Sequence, residues 1–248
     1  MKKPADNKPA RAALTEAVAL ALVLAICVIA YLPSFDAGWH FVDPAQIVNN
    51  PAVHMKELSA SALARAITES PLKNRPLAFL SFALDHYREG LEPRVFHQTN
   101  MALHLLATVI TWLFFRALFQ HPRLGARVPW PRLMAVLGAA VFALHPIQVQ
   151  SVTYIVQRMN IMAGLFTMAA LVALFWMLEK KPASKRRLYA VAALAGACSL
   201  LALLSKENAV MVLTLALSLD YCRERGGLAA WARSRWKILV PLFVAGAV

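Results

Sequence analysis

Apolar residues along this chain fall in long uncharged blocks. Val18 to Leu32, Met101 to Phe115, Leu133 to Leu144, Asn160 to Leu178 and Leu188 to Leu204 contain no Asp, Glu, Lys or Arg. A membrane-crossing helix needs about 20 mostly apolar residues. Extended by their flanks, the blocks predict spans at about 14–32, 97–119, 133–145, 158–178 and 188–204. A sixth, 209–221, is short and ends near Asp220, and a seventh begins near Ile238. That last one stops at Val248 after eleven residues, too few to cross. A truncated reading frame is therefore expected. The fold class is an all-α polytopic transmembrane bundle, with about six complete spans and a partial seventh. Residues 1–13 form a basic tail and 14–248 a single transmembrane domain.

Between the first two spans lies a long polar segment, 34–96. A connection of that length is usually functional. Within it, Lys56 to Thr68 has an amphipathic helical pattern through Leu58, Leu63 and Ile67. Pro76 to Leu84 is apolar but too short to span. Both are expected to be helices lying in the membrane interface.

Composition agrees with the pattern: 59% of residues are hydrophobic and 16% charged. The net charge of +13 would suit a nucleic-acid partner, but its distribution excludes that reading. Eighteen of the 26 basic residues lie before the first span or in the connections around 116–132, 180–187 and 223–237. The 36–96 segment is balanced, with six basic and seven acidic residues. This alternation is the positive-inside signature. It puts the N-terminus in the cytoplasm and predicts a multi-pass protein of the cytoplasmic (inner) membrane. Membrane lipids with anionic headgroups are the natural partner of the basic connections. The first apolar block, preceded by Lys2, Lys3, Lys8 and Arg11, lacks a convincing small-x-small cleavage site at its end and reads as an uncleaved anchor. Cys27 and Cys198 fall within spans and Cys222 on the inner side, so no disulfide framework is expected.

Polar residues in or beside spans are functional candidates, because burying them is costly unless they are paired. The topology puts four such clusters on the outer side. Gly38-Trp39-His40-Phe41-Val42-Asp43-Pro44 follows the first span. Asp43 could act as a general base towards a hydroxyl, or simply open a turn before proline. Arg75, in Asn74-Arg75-Pro76, could clamp a phosphate or touch lipid headgroups. His97, Asn100 and His104 share one helix face, where hydrogen bonding between helices competes with metal binding. No third ligand is evident and no metal site is assigned. The fourth cluster is His145-Pro146-Ile147-Gln148-Val149-Gln150 with Tyr154, Gln157 and Arg158, facing Ser205-Lys206-Glu207-Asn208. Arg158 and Lys206 could form a basic pocket, or Lys206 and Glu207 could pair with each other. No glycine-rich phosphate loop, zinc signature or nucleophile elbow occurs, so no cofactor is identified.

Five stretches carry a family resemblance: Gly38 to Pro51, Asn74 to Asp85, Phe96 to His104, Ala143 to Arg158 and Leu203 to Ala209. In that order they resemble the membrane part of bacterial relatives of the transmembrane and tetratricopeptide-repeat-containing O-mannosyltransferases, within the GT-C class. The resemblance implies a glycosyltransferase that takes a sugar from a polyprenyl-phosphate carrier on the outer face. It passes that sugar to a hydroxyl on a protein or glycan. On this reading Asp43 is the catalytic base, and Arg75, Arg158 and Lys206 bind the donor phosphate. His97, Asn100, His104, His145, Gln150, Tyr154, Gln157 and Glu207 are further polar candidates. Two positions depart from the pattern. Val42 stands where members often have a second acid, and Gln150 where many have Glu. The alternatives are a catalytically degenerate anchor or assembly module and a transporter of lipid-linked sugar.

Overall fold

A computed structural model describes residues 8–123, 125–179, 184–223 and 227–235. Among these the chain is all-helical, with no strand. The first long helix, α1 (Lys8–Tyr31), leads into a run of short turns. After it come α2 (Ala60–Thr68) and α3 (Pro76–Glu89). The longest helix is α4 (Pro93–Gln120), and α5 (Pro131–Leu144) follows it. A broken stretch, 146–157, contains the one-turn α6 (Val149–Thr153) and ends at α7 (Arg158–Glu179). Then come α8 (Lys185–Ser205) and α9 (Met211–Arg223).

Local sequence explains many of the boundaries. Proline opens α3, α4 and α5, a position where its missing N–H costs nothing. Ser59 and Ser184 cap α2 and α8 through their hydroxyls. Gly90, at φ +65°, ends α3 in the left-handed region that glycine tolerates.

Four helical stretches are long and apolar enough to cross a membrane: Ala10–Asp36, Pro93–Gln120, Ile155–Met177 and Lys185–Ser205. A fifth is obtained if α5 and the following 146–153 stretch, bent by 46° to it, count as one span. The expected sixth span corresponds to α9, whose 13 residues rise about 20 Å, short of a bilayer core of about 30 Å. The expected seventh lies outside the described residues. The protein is thus a multi-pass membrane protein by helix composition, with four to five candidate spans.

Helix α4 packs against α1, α5 and α7, and α8 packs against α7. Small residues permit close approach. Ala135, Ala139 and Ala143 of α5 are fully buried, and a methyl group added at Gly138 would meet the Phe115 ring at 2.7 Å. On α7 and α8, Ala163 and Ala170 meet Ala202 and Cys198.

The 34–96 segment folds into a compact cap. Phe79 and Phe82 of α3 are fully buried with Ile47, Val53, Met55, Phe96, Ile155 and Met159. Ala62 and Ala66 of α2 close the same core. The expected interfacial helix at 76–84 therefore turns its aromatic face inward onto protein. Fourteen residues are too few to span, but they can seal one end of a bundle. Stacked rings of His54 and His86, donating to the Ile47 and Met55 carbonyls respectively, hold the 44–56 turns onto α3.

Candidate functional site

Seven consecutive residues, 154–160, tie the cap to the bundle. The Tyr154 hydroxyl accepts from Val42 N–H at 3.1 Å, and its ring meets Phe41 edge-on. The Ile155 carbonyl accepts from Asn100. Val156 N–H donates to Asp43 Oδ1 at 2.9 Å. Gln157 accepts from Asn160, whose own side-chain oxygen accepts from Lys206 Nζ at 2.6 Å. Arg158 pairs with Asp85, and Met159 Sδ accepts from Arg75. One short segment thus reaches Asp43, Arg75, Asn100 and Lys206.

Asp43 has no solvent exposure. Its second oxygen accepts from His40 N–H at 3.0 Å, so the turn 40–43 folds back over the carboxylate. Burial pushes its pKa above the usual carboxylate range, and the backbone N–H bonds from His40 and Val156 oppose that shift. Phe41, within this turn, has φ +48°, a strained value for a residue with a side chain, and stands almost fully exposed. Beside it lies an open cavity of about 340 Å³, lined by Tyr31, Ala37, His40, Phe41, Thr153 and Tyr154.

Arg158 is also fully buried, and its donors are committed to protein groups. Nε donates to Asn100 Oδ1 at 2.6 Å, Nη1 to Ser81 at 3.2 Å and Nη2 to the Phe96 carbonyl at 2.9 Å. Nη2 also lies 2.5 Å from Asp85 Oδ2, an ion-pair contact without aligned hydrogen-bond geometry at that oxygen. Its guanidinium stacks over Phe82 and Phe96. Asp85 accepts in addition from Thr99 Oγ1 and sits 3.5 Å from Arg88.

The accessible charges lie beside this hub. Arg75 pairs with Glu207 through Nε and Nη2, and Asn74 donates to the same carboxylate. Hydrogen bonding from Arg75 holds Glu207 below the usual Glu range, although its side chain is 54% exposed. Partial burial, then the Arg75 charge, push the Lys206 ammonium below its ordinary value, against the pull of Glu207. Of the two alternatives for Lys206 and Glu207, a pair with each other is not formed: Glu207 pairs with Arg75, and Lys206 donates to Asn160.

The histidines are dispersed. His97 Nε2 meets the Ala37 carbonyl, and His104 Nε2 meets that of Ala143. His145 Nδ1 accepts from Ile147 N–H and caps the turn that follows. Gln150 is exposed at the same end. Among the described residues no group of three potential metal ligands occurs. Asp85 was visible in the sequence ten residues after Arg75, but its partner Arg158 became apparent only from the fold.

A cap clamped onto one end of a polytopic helical bundle, with a buried acid and two more accessible cations bonded to one short segment, defines a class: a membrane protein with its polar site at the span ends. Distant relatives give that class a context. The chain is 31% identical to protein O-mannosyl-transferase Tmtc1 of Drosophila melanogaster over 172 residues, 65% of this chain and 19% of that protein. It is 24% identical to protein O-mannosyl-transferase F38B6.6 of Caenorhabditis elegans over 250 residues, 98% of this chain and 33% of that protein. Human protein O-mannosyl-transferase TMTC4 matches at 27% over 156 residues, 58% of this chain and 21% of that protein. The chain is thus distantly related to these membrane glycosyltransferases, and spans about a fifth to a third of their length. No family model and no solved structure matches it.

Proposed function

We propose that the chain is the donor-handling part of a GT-C glycosyltransferase. It takes a sugar from a polyprenyl-phosphate carrier and passes it to a protein or glycan hydroxyl. Reaction occurs at the extracytoplasmic face of a cytoplasmic membrane, with the N-terminus inside and α9 contributing to a sixth crossing. The observation that carries this reading is the convergence of Asp43, Arg75 and Lys206 on the single 154–160 segment at the span ends. A polyprenyl donor is confined to the bilayer, so its phosphate must be met at such a level.

In the proposed reaction the acceptor oxygen bonds to the anomeric carbon as the bond from that carbon to the phosphate oxygen breaks. The electron pair departs with the polyprenyl phosphate, and the acceptor proton passes to the Asp43 carboxylate. A single displacement inverts the anomeric centre and needs only one carboxylate. Arg75 and Lys206 meet the charge that grows on the leaving phosphate. The donor phosphate would exchange for Glu207 on Arg75, one anion for another. Movement of the strained 40–42 turn would uncover Asp43. Arg158, with its donors committed, is assigned as a positioning residue that fixes the 154–160 segment.

The experiment is transfer of radiolabelled sugar from its polyprenyl phosphate by reconstituted protein. Asp43→Asn should lower the rate by about 10²–10⁴, the usual contribution of a general base. Undiminished transfer would remove Asp43 from the mechanism. A second reading, a non-catalytic anchor or assembly module, is favoured by Val42 and by the closed state of Asp43. It predicts no transfer by either form. A transporter of lipid-linked sugar is less favoured, because the polar clusters lie at span ends and not midway along them.

A further inference from the structure

A second polar pocket lies at the end of the bundle opposite Asp43. Glu16 on α1 is buried and accepts from Arg116 Nε of α4 at 2.9 Å. Arg132 Nε, at the start of α5, lies 3.8 Å from its other oxygen. Two guanidinium groups against one carboxylate leave the cluster with one uncompensated positive charge. Arg132 Nη1 is buried and has no hydrogen-bond partner, which is costly for a charged donor unless a ligand supplies an acceptor. An open cavity of about 450 Å³ is lined by Glu16 and Arg132 of this cluster, together with Ala12, Thr15, Trp130 and Leu133. Trp130, at φ +44°, stands 74% exposed beside it. The cavity sits at one limit of the Ala10–Asp36 span, where a bilayer would present headgroups. Leu133 of α5 lines it, and Leu137, one turn further along the same face, is also exposed, an apolar path leading away from the charges.

We propose that this pocket binds an anionic phospholipid. Its phosphate would take hydrogen bonds from Arg132 and the free donors of Arg116, its chains would lie along the exposed leucines, and Trp130 would sit at the headgroup level. Charge complementarity selects this occupant. The orphaned Arg132 donor asks for an anion, and the apolar path asks for that anion to be attached to hydrocarbon. The site is separate from the proposed glycosyl-transfer site and does not depend on that function.

The test uses the intact chain in phosphatidylcholine nanodiscs containing a minority of lipid with brominated acyl chains, either phosphatidylglycerol or phosphatidylcholine. Emission of Trp130 is obtained as the difference between the wild type and Trp130→Phe. Quenching by brominated phosphatidylglycerol should exceed that by brominated phosphatidylcholine by about fivefold in apparent affinity, the factor that one basic residue contributes at an anionic surface. Arg132→Gln should abolish the excess, while Arg127→Gln, an exposed charge on the same connection, should retain it. Arg116→Gln gives the same reading if Arg132→Gln does not fold. Equal quenching by the two lipids in the wild type would overturn the proposal. So would an excess that survives Arg132→Gln, or one lost equally in Arg127→Gln.

Discussion

Arg158→Met removes the centre of the buried network without shortening the side chain much. It leaves Asp85, whose side chain is 4% exposed, without its closest cation, and strips donors from Asn100 Oδ1 and the Phe96 carbonyl. Removing one partner of a buried ion pair costs about 3–5 kcal/mol, because the remaining charge stays desolvated. The lost hydrogen bonds from the guanidinium to neutral acceptors push the value to the upper part of that range. Asp85→Leu should cost a similar amount, since it strands Arg158. The double substitution removes both charges from the interior and should cost far less than the sum, falling short of it by at least about 2 kcal/mol. Unfolding in mixed micelles, driven by dodecyl sulfate and followed by circular dichroism, gives the three values. A cost below about 1 kcal/mol for Arg158→Met would refute the claim that this residue pins the cap. Strict additivity would refute the claim that Asp85 is its partner.

Three further outcomes follow from the same geometry. Asp43→Ala leaves the His40 and Val156 N–H groups without an acceptor and should lower stability by about 2–5 kcal/mol in the same assay. The pH dependence of Asp43 has a definite sign. Its folded pKa is raised, so its contribution to stability is complete below the ordinary Asp value of about 3.9 and is lost as pH rises through the raised value. The stability of the wild type relative to Asp43→Asn should therefore fall as pH is raised from about 4. Glu207 has the opposite sign. Its lowered pKa keeps the Arg75 pair intact above the ordinary Glu range and weakens it as pH falls through the depressed value. In Arg75→Gln the Glu207 titration, read by carbon NMR of labelled glutamate, should move back up towards about 4.3.

Much of this was legible in the sequence, because helices in a membrane must satisfy their own backbone and so advertise their length. The spans predicted around α4, α7 and α8 match their helices within about four residues at each end, while α1 begins at Lys8, ahead of its predicted start near residue 14. Where the pattern was short, it was ambiguous. The apolar run of α3 looked interfacial because nothing local says that Phe79 and Phe82 meet Ile155 and Met159. The fourth polar cluster could be read from the sequence as a unit, but the partners of its members could not. Lys206 and Glu207 are neighbours in sequence, yet the extended backbone at Lys206 sends the two side chains to Asn160 and Arg75. Arg158 looked like an open cation because each of its three nitrogens is engaged by groups from α3 and α4, which only tertiary folding brings near. Glu16 went unread, although an acid at the edge of an apolar span announces a partner. Here it has two, Arg116 and Arg132.

The central claim is that the hub end of the bundle receives a lipid-linked sugar phosphate. Photo-crosslinking tests it most directly: a polyprenyl-phosphate sugar carrying a diazirine next to the phosphate, followed by mass-spectrometric mapping of the labelled peptides. The account predicts label in the segments around Arg75, 154–160 and Lys206, competed by unlabelled donor and lost in Arg75→Gln/Lys206→Gln. Label confined to the Glu16 end, or label at the hub that survives the double substitution undiminished, would contradict it.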